Sequence, residues 1–431
     1  MKRFPLFAAA AIALSPAPLA AQDFAITNAT VAKGDGSAPI EGASVVVRGG
    51  KIVAAGSGVT VPTDVPVMDG SGMWVTPGLV AAVTDLGLAD VGAVDESNDN
   101  SASKARFNAA LDVAPAINPA SQNIAISRAG GLTRAIVAPS QGASLFAGQG
   151  AVIDLGADPE AIEKAQAFQL AALGENGASL SGGSRTAAHV ELRNALAEAI
   201  AYANGRWDGA REVLPRMDAK ALAPVVSGKQ KLFVEVERAS DILAVIALKK
   251  EFPKLDLVLV GVSEGWLVAN AIAASGVPVI ADPLDDLPSK FEQLAATQSN
   301  VGRMVRAGVK VALGRMAGTT DGHPRSAAQF AGNLVALNKL PGAAGLSWGQ
   351  ALASISSVPA EIAGLGGKIG VLKPGAAGDV VVWDGDPLEV STAPVKVFID
   401  GVEQPLDNHQ TRLRERYRNL DESTLPKAYD W

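Results

Sequence analysis

The 431-residue chain has no cysteine and only three histidines, His189, His323 and His409. The first absence excludes disulfides, thiolate metal sites and a cysteine nucleophile, so the fold must be held by its core. The second leaves few imidazoles to ligate a metal or act as a general base. Aromatic residues make up 5% of the chain, which offers little for a stacking groove. Lys and Arg number 37 against 44 Asp and Glu, a net charge of -7, and nothing basic clusters before the tail. Nucleic acid and anionic membranes are therefore excluded as partners. No Gly-x-Ser-x-Gly elbow occurs, and the glycine-rich stretch Gly142–Gly150 lacks the Lys-Ser/Thr of a phosphate-binding loop.

What is present begins with a secretory pattern. Lys2 and Arg3 precede an apolar run from Phe4 to Leu14, then Pro16, Pro18 and the small residues Ala20 and Ala21. This predicts a signal peptide over residues 1–21, cleaved near Ala21. The run is far shorter than the roughly 20 residues that span a bilayer. The expectation is a periplasmic or secreted protein without a stable membrane anchor. At the other end, residues 408–431 form a polar tail with Arg412, Arg414, Arg416 and Arg418 spaced by two. It reads as a solvated helix or as a segment that docks on a neighbouring subunit.

With 48% hydrophobic residues, the length suits one large α/β domain and a smaller one. In residues 22–75 short Val- and Ile-rich runs alternate with Gly and Pro, and Ser44–Arg48, Gly49-Gly50 and Lys51–Ala54 read as a hairpin with a two-glycine turn. From 76 to 355 helical patterns end in glycine and feed short apolar runs. Gly130-Gly131 leads into Arg134–Ala138, Gly276 into Val277–Ala281, and Gly308 into Val309–Leu313. Glycine past a helix supplies a left-handed cap, and strands alternating with helices predict a parallel sheet closed as a (β/α)8 barrel. From 356 to 407 β character returns, starting at Val358–Ile362 and continuing through Val380–Trp383 and Val395–Ile399.

Several phrases resemble the amidohydrolase superfamily. Val75-Thr76-Pro77-Gly78-Leu79-Val80 is similar to that family's entry into the first barrel strand, and Gly370-Val371-Leu372-Lys373-Pro374-Gly375 with Gly378-Asp379-Val380-Val381-Val382-Trp383 to its C-terminal signature. Lys231–Ile242 and Leu257–Gly265 resemble its strands five and six. The resemblance runs from about residue 24 to 405. It implies a (β/α)8 barrel with a small composite β-sandwich made by the N- and C-terminal segments, and a hydrolase of carbon–nitrogen bonds that activates water on one or two divalent metals.

At each position where the family places a metal ligand, another residue stands. In the first-strand phrase Asp-x-His-x-His, Ala81 replaces the Asp, Val83 the first His and Asp85 the second. Glu235 takes the strand-five His and Gly261 the strand-six His, while Arg315 or Met316 falls on the strand-eight Asp. Asp85, Glu235, Arg315, Asp321 and His323 are the residues a remnant site would use. Asp85 and Glu235 are like charges that a guanidinium from Arg315 could bridge. Asp321 and His323 fit a turn with local hydrogen bonds better than a ligand pair. The resemblance thus implies no resident cofactor and a catalytically impaired or non-catalytic protein that acts by binding, as a homo-oligomer or beside an active amidohydrolase paralogue. The alternative is a hydrolase of non-peptide C–N bonds or small peptides that works through carboxylates, with a divalent metal.

Overall fold

The structure, a computed structural model, describes residues 21–314 and 323–418. The predicted signal peptide, Arg315, Met316, Asp321 and the end of the tail lie outside the described residues. The chain opens with strands β1 (Phe24–Val31), β2 (Ile40–Arg48), β3 (Lys51–Gly56), β4 (Val67–Asp69) and β5 (Trp74–Pro77). The barrel segment follows with β6 (Leu79–Thr84), α1 (Gln122–Ala129), β7 (Leu132–Val137), β8 (Phe146–Asp154), β9 (Ile162–Ala172), α2 (Gly174–Leu180), α3 (Arg185–Ala203) and α4 (Arg216–Val226). It continues through β10 (Lys231–Val236), α5 (Ala239–Glu251), β11 (Leu257–Gly261), α6 (Ala269–Ser275), β12 (Val279–Ala281), α7 (Asn300–Arg306), β13 (Val311–Leu313) and α8 (Ala327–Ala336). Last come α9 (Trp348–Ser354), α10 (Ser357–Ile362), β14 (Val380–Trp383), β15 (Pro394–Ile399), β16 (Val402–Glu403) and α11 (His409–Arg418).

The N- and C-terminal strands join in one sheet, in the order β16-β15-β14-β5-β1-β2-β3 with β4 beside β1. The predicted hairpin forms: Gly49 and Gly50 both hold positive φ, +53° and +73°, as the tight turn between β2 and β3 requires. A two-layer sandwich is expected, whereas these strands are hydrogen-bonded into a single sheet. It curls strongly, because Phe24 and Phe398 stack at 4.2 Å although β5 and β14 stand between their strands. In a flat sheet three strand spacings would hold them about 14 Å apart. The concave side closes on Ile26, Val45, Val47, Val75, Val380 and Val382.

The second sheet runs β6 to β13 in chain order, and a parallel bridge between Ala82 and Gly314 nearly closes it. Its interior is one apolar cluster that includes Ala82, Ile136, Val152, Phe233, Val260 and Ile280, with Phe168 stacked on Phe233 at 4.1 Å. The three predicted helix stops hold, with Gly131, Gly276 and Gly308 at φ +89°, +66° and +88°.

Two expectations fail. The barrel is not wholly parallel, for β8 runs antiparallel to both β7 and β9. A parallel crossover needs a dozen or more residues, and only residues 138–145 and 155–161 connect these strands. With no helix to cover it, the outer face of β8 is covered by residues 108–113. Gln149 N donates to Leu111 O at 2.7 Å, and the carboxylate of Asp218 in α4 accepts from Asn108 N and Ala110 N at 3.1 and 2.8 Å. Most of the glycine-rich stretch Gly142–Gly150 is accordingly strand. Secondly, Val358–Ile362 lies in the helix α10, not in a strand. Pro359 sits in the first turn, where its missing N–H costs nothing, and Ala360 and Ile362 are buried.

The barrel floor is fastened to the curled sheet by Arg134 of β7. Its guanidinium grips Asp379 with Nε–Oδ2 at 2.7 Å and Nη2–Oδ1 at 2.9 Å, reaches Asp400 at 2.7 Å and also binds Glu163. Arg134 and Asp379 are both buried. Burial works against the charge, yet Asp379, Asp400 and Glu163 together hold the Arg134 pKa well above its usual value.

Candidate functional site

In a barrel of this kind the chemistry sits at the carboxyl ends of the strands. There β6 ends with Val83, Thr84 and then Asp85, β10 with Glu235 and Val236, and β11 with Gly261. β6 and β10 are the first and fifth of eight strands, so Asp85 and Glu235 are brought to one end of the barrel from opposite sides. Asn100 Nδ2 donates to Asp85 at 3.4 Å, and both Asp85 and Glu235 have further partners. Glu235 is buried. Arg315 and Asp321 fall outside the described residues. His323 opens a 3-10 turn, His323–Ser326, that leads into α8; its side chain is likewise outside them.

Val83 stands in a bulge. The ladder between β6 and β7 skips from Ala82 to Thr84, and Val83 takes φ +53°. A left-handed conformation is costly for a β-branched side chain, and here it turns an apolar group against the cluster inside the barrel. Val262, just past β11, is also left-handed at φ +62°. Its N–H bonds Val236 O at 2.8 Å and its C=O accepts from Asn300 Nδ2 at 2.9 Å, so the strained turn is tied at both ends.

Gly261 is the position at which the sequence most clearly lacks a donor, and the structure gives the reason. Its φ is +91°, and a Cβ built there would lie 2.7 Å from Glu237 Oε2. The space a strand-six side chain would enter is filled by the carboxylate of Glu237. That carboxylate accepts from Ser263 N at 3.0 Å and from Ser263 Oγ at 2.8 Å. Ser263 Oγ also lies 3.0 Å from Asp285 Oδ2, Gln293 Nε2 donates to Ser263 Oγ at 3.1 Å, and Ser289 Oγ donates to Gln293 Oε1 at 2.7 Å. Glu237, Ser263 and Gln293 are buried. A closed hydrogen-bonded knot thus stands where one metal ligand is expected.

The remaining acidic residues of the strand-five and strand-six phrases do structural work. Glu264 accepts from Ala239 N at the start of α5 at 3.0 Å and from Ala295 N at 3.2 Å. Asp241 receives Arg185 Nε at 2.8 Å and Arg238 Nη2 at 3.0 Å, while Glu292 receives Glu175 N at 2.6 Å and Arg185 Nη2 at 3.2 Å. Burial opposes the charge on Arg185, but the Asp241 bond and the charges of Asp241 and Glu292 keep its pKa raised. These pairs clamp the connection between β12 and α7 onto the rim.

The residues present do not fit a divalent metal centre of the family's kind. Val83 offers no lone pair, the Gly261 slot is occupied by Glu237, and among the described residues no three His, Cys, Asp or Glu side chains are grouped to hold an ion. Sequence reasoning named Asp85 and Glu235, which stand at strand ends, and did not name Glu237, Ser263, Asp285 or Gln293. Glu235-Val236-Glu237 carried a signal in its i, i+2 spacing; Asp285 and Gln293 sit in a connection without a motif.

Residues 268–403 match the sequence model of a family described as the amidohydrolase family. An amidohydrolase from Thermotoga maritima MSB8 is similar in structure, with a TM-score of 0.77 and 26% identity over 88% of this chain and 99% of that one. Molinate hydrolase shares the fold at a TM-score of 0.54 and 16% identity, over 90% of this chain and 95% of that one. A curated relative, amidohydrolase tasK of Hapsidospora irregularis, is 50% identical over 60 residues, which are 14% of this chain and only 6% of that protein. The barrel with its curled sheet and these likenesses agree: the chain has the fold of the amidohydrolase superfamily and matches the amidohydrolase family in sequence over residues 268–403.

Proposed function

We propose that this chain is a non-catalytic or strongly impaired amidohydrolase that acts by binding, as the companion of an active paralogue in the periplasm or outside the cell. The observation that carries the reading is Gly261 with Glu237: the strand-six ligand is gone and its space is taken by a side chain already bonded to Ser263. Val83 in place of the first-strand donor supports it. A metal-activated water needs several donors converging on one point, and the substitutions remove them at three strands.

A second reading, a hydrolase of non-peptide C–N bonds or small peptides that works through carboxylates with a divalent metal, is favoured by Asp85 and Glu235 at the strand ends. One assay separates the two. Small N-acyl amino acids, dipeptides and cyclic amides are offered with and without added zinc. The companion reading predicts no turnover above a buffer control; turnover that disappears in Glu235→Gln would establish the second reading instead. The companion role itself predicts co-elution with an exported, His-x-His-bearing amidohydrolase, weakened by deleting residues after Asn408. Because no residue of α11 is buried, that deletion should leave the barrel folded.

A further inference from the structure

The joint between barrel floor and curled sheet holds more acid than its cations can neutralise. Asp154, the last residue of β8, pairs directly across the ladder from Arg134. Yet Arg134 spends its donors on Asp379, Asp400 and Glu163, and none reaches Asp154. Asp154 is 8% exposed, and its carboxylate accepts from Gly156 N at 2.7 Å. Asp158 closes on it from the same turn: a Cβ on Gly156 would meet Asp158 Oδ2 at 2.7 Å and Asp154 Oδ1 at 2.8 Å. From α1 comes Arg128, whose guanidinium binds the carbonyls of Leu155 and Pro405 at 2.8 and 3.3 Å. Two guanidiniums, Arg128 and Arg134, thus face five carboxylates, those of Asp154, Asp158, Glu163, Asp379 and Asp400.

We propose that this joint is acid-tightened, with Asp154 as the group that takes up a proton and so fastens the curled sheet more firmly to the barrel. Burial pushes the Asp154 carboxyl up to about 6, against the Gly156 bond and the charge of Arg134, with Asp158 and Glu163 adding to the rise. In the unfolded chain the same group titrates near 3.8. The folded state therefore binds the proton first, and its advantage grows as pH falls through the folded value. Between about pH 7.5 and about pH 5.5 the folding equilibrium should shift toward the native state by about fourfold.

Urea unfolding of the mature chain, followed by circular dichroism at those two pH values, tests this. The parent is expected to unfold at higher urea at the lower pH, and Asp154→Asn to unfold at nearly the same urea at both. A parent midpoint that is flat or falls on acidification overturns the proposal, as does an Asp154→Asn protein that keeps the full gain. Should Asp154→Asn fail to fold, Asp158→Asn takes its place. Removing the nearest like charge should move the gain to lower pH, and an unchanged pH dependence would count against the joint.

Discussion

At the scale of single residues, Gly261 and Glu237 form a matched pair. A methyl group at Gly261 would need both a left-handed backbone, which costs an ordinary residue about 1–2 kcal/mol, and room that Glu237 now fills, an overpacking of about 1–3 kcal/mol. Gly261→Ala should therefore destabilise the protein by roughly 2–5 kcal/mol in urea unfolding. In a Glu237→Ala background the steric share should vanish and the backbone share remain, so the same substitution should cost about half as much. A Gly261→Ala protein that loses only the backbone share in the parent background would mean that Glu237 swings freely out of the slot. The glycine was legible as a missing donor in the sequence. Its occupant was not, because one residue's side chain filling another's space is a property of two strands in register, Val236 beside Gly261, and no single-strand pattern encodes it.

At the scale of elements, the same limit explains what was and was not foreseen. Helix stops at Gly131, Gly276 and Gly308 and the Gly49-Gly50 hairpin were readable because each depends on one or two residues whose backbone only glycine adopts easily. The direction of β8 was not, since Phe146–Asp154 is as apolar as a parallel strand and its direction is set by the shortness of its two connections. Val358–Ile362 misled because its apolar residues fit either period, and burial against β6 and β13 decided for helix. The attachment between elements is concentrated in Arg134. Both it and Asp379 are about 1% exposed at the side chain. Breaking such a buried pair leaves an uncompensated charge and typically costs about 3–5 kcal/mol. Arg134→Met should lose that much in urea unfolding, and adding Asp379→Asn should cost far less than in the parent, since the two act as one unit. Additive losses would show that Asp400 and Glu163 hold the joint without Asp379.

At the scale of the whole molecule, the chain keeps the superfamily's architecture and has rebuilt its mouth. The interior of the barrel, the clamps Glu264 and Asp241 and the floor bonded through Arg134 all support a rigid scaffold. What the scaffold presents at the strand ends is a set of hydrogen-bonded acids in place of imidazoles. The claim that follows, that this protein does not run on a bound metal, is tested most directly by the metal content of the purified protein. It would be purified without chelator, equilibrated with excess zinc, desalted and measured by elemental mass spectrometry beside a hydrolysis assay. The account predicts well under one zinc per chain and no activity that chelation removes. About one tightly held zinc per chain, lost to a chelator together with hydrolysis of a small amide, would contradict it.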